Sequence, residues 1–162
     1  MDESEPRPRH AALHRLYAYW QAKRGGAFAP SRTAIDPAEI RDLLPFVVLA
    51  DVVGTPPRFR IRLAGTHVVE AYGEEVTGRY ADELDFNGIG PEVLAALQAV
   101  VRSGRPGLVR RDFVKQDGRP LRYERLVLPL SSDGVTVDKL FGGAVLEQLT
   151  EPPAGVTPAI SP

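Results

Sequence analysis

The chain of 162 residues contains no cysteine. That absence removes disulfides, cysteine-based zinc sites, iron–sulfur clusters and thiol catalysis together. An excess of charge of one sign is missing too: 20 basic and 21 acidic residues leave a formal net charge of −1. No overall field therefore draws the chain to nucleic acid or to an anionic membrane surface. No apolar run approaches the roughly 20 residues that span a bilayer, and the start, MDESEPRPRH, is not a signal peptide. A cytoplasmic protein is the expectation. Histidine is scarce, at His10, His14 and His67, and Trp20 is the one tryptophan.

What is present suits a folded domain. Hydrophobic residues make up 43% and charged residues 25%, which argues against disorder over most of the chain. The length allows one domain with a sizeable core and some extra residues. Arg58 to Arg79, RFRIRLAGTHVVEAYGEEVTGR, organises the rest. Phe59, Ile61 and Leu63 alternate with Arg58, Arg60 and Arg62, the pattern of a strand with one buried and one polar face. At Ala64-Gly65-Thr66 the period changes. Thr66 is placed to cap a short helix carrying Val68, Val69 and Tyr72, which Gly73 ends.

In chain order, residues 1–9 are charged, contain proline and are expected to be disordered. Residues 10–45 form an N-terminal helical extension. Its first helix spans His10 to Arg24, with Leu13, Leu16, Tyr17 and Trp20 on one stripe. That stripe serves either its own domain or, as aromatic-rich surfaces often do, a dimer interface. A second helix starts at Asp36-Pro37-Ala38-Glu39, covers Ile40, Leu43 and Leu44, and ends before Pro45. The main domain is read over 46–149. Phe46–Val53 and Arg58–Leu63 form an antiparallel hairpin across Gly54-Thr55-Pro56-Pro57. Tyr80–Asp85 makes a helical turn and Pro91–Ser103 a longer helix. Strands follow at Leu108–Lys115, Arg119–Leu130 and Leu140–Leu149. In the middle one Leu121, Tyr123, Arg125 and Val127 lie opposite Arg122, Glu124, Leu126 and Leu128. Gly142-Gly143 marks a bulge or a close backbone approach. Residues 150–162 are a Pro-rich flexible tail.

Two strands, short helices, one longer helix and three strands imply an α+β fold, a single antiparallel sheet with helices grouped on one side. With its LYAYWQAKRGG, PSRTAIDPAEIRDLLPFVVLADV and RFRIRLAGTHVVEAYGEEVTGR pieces, the chain resembles a PAS domain. More narrowly, it is similar to a bacterial family of small single-PAS proteins first catalogued as a domain of unknown function. The resemblance covers about residues 13–149. It implies a PAS-like five-stranded sheet, with short helices on one side, extra N-terminal helices and a possible ligand pocket. It also implies a sensory or regulatory module, often dimeric, acting by small-ligand binding or protein–protein interaction. With no output segment after the sheet, such a module acts on a partner signalling protein.

Sharper chemistry finds little support. His10 and His14 have a spacing that can meet on one metal, but no HExxH pattern accompanies them, and a solvated helix face is the simpler account. Ser131-Ser132 has no neighbouring base. Glu74-Glu75 and Asp82-Glu83 read as surface charge, so no catalytic residue is assigned. Haem-binding PAS domains usually supply an axial histidine from the long helix, which here has none. Flavin photoreceptors need a cysteine for their adduct. No cofactor is named.

Arg60, Arg62, Arg79, Arg110, Arg111, Arg122 and Arg125 are spread through the strands and their connections. They form a solvent face, or one of them points inward to hold an anion through paired hydrogen bonds. Arg62 and Arg79 flank the short-helix region where PAS pockets lie, with Tyr72 between. Those three and His67 are the ligand candidates, for a small anionic or apolar molecule. The expected partners are that ligand, a signalling protein and a second copy of the chain, with no nucleic acid and no membrane. A small-molecule enzyme using the same pocket is the alternative.

Overall fold

Lys139–Gln148, strand β5 in the numbering used below, runs through the middle of a five-stranded antiparallel sheet. The computed structural model describes residues 5–114 and 117–151. Strands β1 (Val47–Val53), β2 (Arg58–Ala64), β3 (Gly107–Val114), β4 (Pro120–Leu130) and β5 lie in the order β2-β1-β5-β4-β3. The β1–β2 hairpin forms, with Val53 opposite Arg58 and Val52 opposite Phe59; Phe59 and Ile61 are buried as the alternation predicts, but Leu63, past a register shift at Leu49 and Ala50, is exposed. The hairpin's far strand is secured by a further segment: the Ile61 amide donates to the Arg79 carbonyl and the Gly78 amide to the Ile61 carbonyl.

Among the described residues three α-helices flank the sheet: α1 (Ala11–Arg24), α2 (Thr66–Tyr72) and α3 (Gly90–Ser103). Short 3-10 turns occur at Arg32–Ala34, Pro37–Phe46, Ala81–Glu83 and Phe86–Gly88. Two local readings are corrected. Gly65, rather than Thr66, is the residue before α2, and it makes no side-chain cap. The segment after Asp36 is a kinked 3-10 stretch that passes through Pro45 to Phe46. Asp36 does accept the Ala38 amide as an N-cap, but Ile40 has non-helical backbone angles and interrupts the turn.

The short helices share one face of the sheet, as expected, and the extra N-terminal helix takes the other. On one face α2, α3 and the short turns pack over Phe59, Ile61, Tyr123, Val127, Leu140 and Ala144. On the other, Leu13, Leu16 and Trp20 of α1 pack over Leu126, Leu128, Leu130, Phe141 and Val145. Successive strand residues point to opposite faces, so β4 supplies alternate side chains to two separate cores. Leu13 and Leu16 are fully buried and Trp20 nearly so, and the Trp20 indole donates to the Pro129 carbonyl at 2.8 Å. The α1 stripe is therefore occupied by the chain's own sheet. As a dimer surface Leu13, Leu16 and Trp20 are unavailable, because each would have to leave its own core; Tyr17 sits beside them, its ring stacked on Trp20.

Gly142 and Gly143 allow this close packing. A Cβ at Gly143 would lie 2.7 Å from the Phe46 carbonyl oxygen and under 3 Å from methyls of both Leu13 and Leu16. The close-approach reading of the pair is the one realised. Within the predicted loose N-terminus, residues 5–9 are described and Arg9 is tied down: the amides of Arg9 and His10 both donate to the Glu124 carboxylate at 2.8 Å. Of the predicted tail, residues 152–162 lie outside the described residues, as does Lys115 of the third predicted strand.

Candidate functional site

Along β4 the alternation that sends Glu124 towards α1 sends Tyr123 and Arg125 to the opposite face, beneath α2 and α3. Arg125 is only 6% exposed. Its Nε donates to the Tyr123 hydroxyl. Its guanidinium carbon lies 4.9 Å from the centre of the Phe86 ring and 5.9 Å from that of Tyr123. Among the described residues it forms no ion pair. Most other sheet arginines do find acids: Arg58 takes Asp82, Arg110 takes Glu124, Arg111 takes Glu92 and Arg122 takes Asp112.

Helix α2 brings Tyr72 to the same place. Gly73 adopts the left-handed geometry that ends the helix there. The Tyr72 hydroxyl accepts the Phe86 amide, and the two rings meet edge to face at 5.5 Å. Burial pushes the Tyr72 phenol up to about 12 against the lowering effect of that amide, so the hydroxyl keeps its proton. Phe86 itself is 2% exposed and has φ 51°. A left-handed backbone at a bulky residue costs on the order of 1–3 kcal/mol and persists only where the surroundings impose it.

Arg125 lines two small cavities. One, of about 20 Å3, lies against Phe59, Ile61, Phe86 and Leu97; the other, of about 10 Å3, lies against Val68, Tyr72, Tyr123 and Leu146. The first holds roughly one water molecule. The walls are apolar apart from one guanidinium and two phenolic hydroxyls.

Of the four residues singled out in the sequence, Tyr72 alone reaches this interior. Arg62 is on the solvent face of β2, where the period-two pattern puts it, and its Nε is 3.3 Å from Asp51. Arg79 pairs with Glu74 at 2.7 Å on the surface. His67 is engaged elsewhere: its Nε2 accepts the Leu146 amide at 3.2 Å and its ring tilts over Phe46 at 5.0 Å. Burial chiefly, with His10 nearby, holds the His67 imidazole below its ordinary pKa. Arg62, His67 and Arg79 are thus not drawn together. Arg125 was one of the seven arginines read as a solvent face or as supplying one inward-pointing side chain, though not one of the four ligand candidates; Tyr123 and Phe86 were missed. The signal for Arg125 was an arginine in the same alternating set as Leu121, Tyr123 and Val127.

A five-stranded antiparallel sheet in this order, with a short-helix crossing over one face and an interior between, is a PAS-type α+β fold. A family model described as a PAS domain matches residues 8–145, and the chain belongs to that family. No curated protein matches it. Among similar solved structures is the PAS domain of Bordetella pertussis BvgS, at 21% identity and a TM-score of 0.51, covering 70% of this chain and 86% of that one. A PAS domain from Colwellia psychrerythraea is 14% identical with a TM-score of 0.48, covering 71% of this chain and 98% of that one. A light-oxygen-voltage domain studied with a flavin analogue is 18% identical with a TM-score of 0.47, covering 70% and 84%. These are likenesses of fold.

Proposed function

We propose that the chain is a sensory or regulatory PAS module that takes a small molecule into the interior between its sheet and helices α2 and α3. The observation carrying this reading is Arg125. A cation buried without a carboxylate costs several kcal/mol, and a core built only for stability does better with an apolar side chain. A guanidinium kept at such a position supports a site that gains its partner from outside. An enzyme would need an acid or base within reach of a nucleophile; the polar groups at these cavities are a guanidinium and hydroxyls.

A second reading is favoured by the cavity size. Spaces of about 20 and 10 Å3 suit a filled interior, and hence a module that acts through protein contacts with a signalling partner or a second copy. Native mass spectrometry of the purified protein, recorded gently and then after denaturation, separates the two. An added small mass that leaves on unfolding is the expected result. A bare protein whose melting temperature no small molecule raises would overturn the ligand reading in favour of the protein-contact one.

A further inference from the structure

Around Arg125 the polar groups keep donor capacity that no acceptor among the described residues takes up. The Tyr72 hydroxyl already accepts the Phe86 amide, and the Tyr123 hydroxyl accepts Arg125 Nε. Each phenolic proton is left to point elsewhere, and neither hydroxyl donates a hydrogen bond among the described residues. The guanidinium faces two aromatic rings in place of a carboxylate. Asp85, the acid adjoining Phe86 in the chain, is exposed; its charge is felt at the Tyr72 hydroxyl, but among the described residues it forms no ion pair with Arg125. Three donors converging in an acceptor-poor interior match an oxyanion, which accepts several charge-assisted hydrogen bonds at once. The remaining walls, Phe59, Ile61 and Leu97 among them, match an apolar body.

Space for that body is taken by Phe86. Its ring is buried beside Arg125, on a backbone held in a geometry phenylalanine rarely adopts. We propose that Phe86 is a resident plug, and that the ligand is a small carboxylate with an apolar body about the size of a phenyl ring. Its carboxylate engages Arg125 with Tyr72 and Tyr123, and its body takes the place of the displaced ring. The assignment rests on the interior being a ligand site, as proposed above. Displacement exchanges a cation–π contact for a charge-assisted pair and releases the backbone of the 85–90 segment, which leads into α3.

Benzoate and its neutral isostere benzamide test this on the full chain at constant ionic strength, with binding followed by amide chemical shifts. Benzoate is expected to bind the wild type, shifting residues 85–90 and β4, and to bind at least about tenfold more tightly than benzamide. Phe86→Ala, which vacates the plug, should tighten both. Arg125→Met should abolish the preference for benzoate while leaving benzamide binding in place, and benzamide binding then also certifies that the variant is folded. If Phe86→Ala binds neither probe, the ligand-site reading itself fails. If both probes bind equally in the wild type, the pocket stands and the carboxylate assignment is overturned, with no variant needed.

Discussion

The guanidinium of Arg125 and the ring of Phe86, 4.9 Å apart and both buried, join the middle of β4 to the segment just before α3. A cation against an aromatic face in a desolvated place is worth about 2 kcal/mol or more. Here it is the guanidinium's partner where other arginines of the sheet have acids. Arg125→Met is expected to leave stability unchanged or to raise it, because an apolar side chain of similar length replaces a buried charge that lacks a carboxylate. Phe86→Leu is expected to destabilise. A double-mutant cycle in urea, followed by the fluorescence of Trp20, should give a coupling of about 1–2 kcal/mol. Strict additivity would mean that the two groups are neighbours and nothing more.

Glu124 is 2% exposed and holds the entry to α1 through the amides of Arg9 and His10 and through Arg110. Glu124→Gln should cost roughly 2–3 kcal/mol, because a charged acceptor is lost where three donors were arranged for it. Burial pushes its carboxyl up, yet the two amides and Arg110 outweigh that and hold it below the ordinary 4.5. A lowered folded pKa gives stability that is present above the unfolded value and is lost as pH falls through the folded one. Urea midpoints of wild type and variant, taken from about pH 6 to about pH 3, should therefore converge at the acid end.

Gly143→Ala should destabilise by about 1–3 kcal/mol, since its new methyl would collide with the Phe46 carbonyl and with Leu13 and Leu16. Combining it with Leu16→Ala should cost less than the sum of the two, as one change makes room for the other. Full additivity in thermal unfolding would place the strain elsewhere.

The His67 imidazole is held below its ordinary 6.5, first by burial and then by His10. Folded protein therefore binds the proton less readily than unfolded protein. Stability is full above 6.5 and falls as pH drops from there through the folded value. His67→Gln removes this dependence, so the stability difference between wild type and variant should change across that interval and be level above it. A difference that stays constant with pH would refute the assignment.

Much of the fold was legible because it follows from period. The alternation of Phe59 and Ile61 with Arg58, Arg60 and Arg62 fixed the buried face of β2, and the same alternation explains why Arg62 stays in solvent. Leu13, Leu16 and Trp20 declared a buried stripe, but a stripe does not name its partner, and that partner is the sheet's second face. The site was harder to read. Tyr72 stood out as an aromatic on a short helix between glycine breaks. Arg125 required its phase in β4 to be weighed against its charge: the pattern placed it among apolar residues while its residue type suggested the surface. Phe86 sits in a left-handed turn that no local sequence rule assigns to phenylalanine.

Glu124 and Arg125 are consecutive. One secures the start of α1 and the other sits at the interior cavities, with the thickness of a single strand between them. β4 is paired on both edges here, with Arg110 and Val145 opposite Glu124 and Val109 and Ala144 opposite Arg125, so a displacement of the strand at this point moves both side chains together. A reporter of what happens inside this PAS domain therefore need not be placed inside it. The amides of Arg9 and His10, on the other side of the sheet, are held by the residue that precedes Arg125 in the chain.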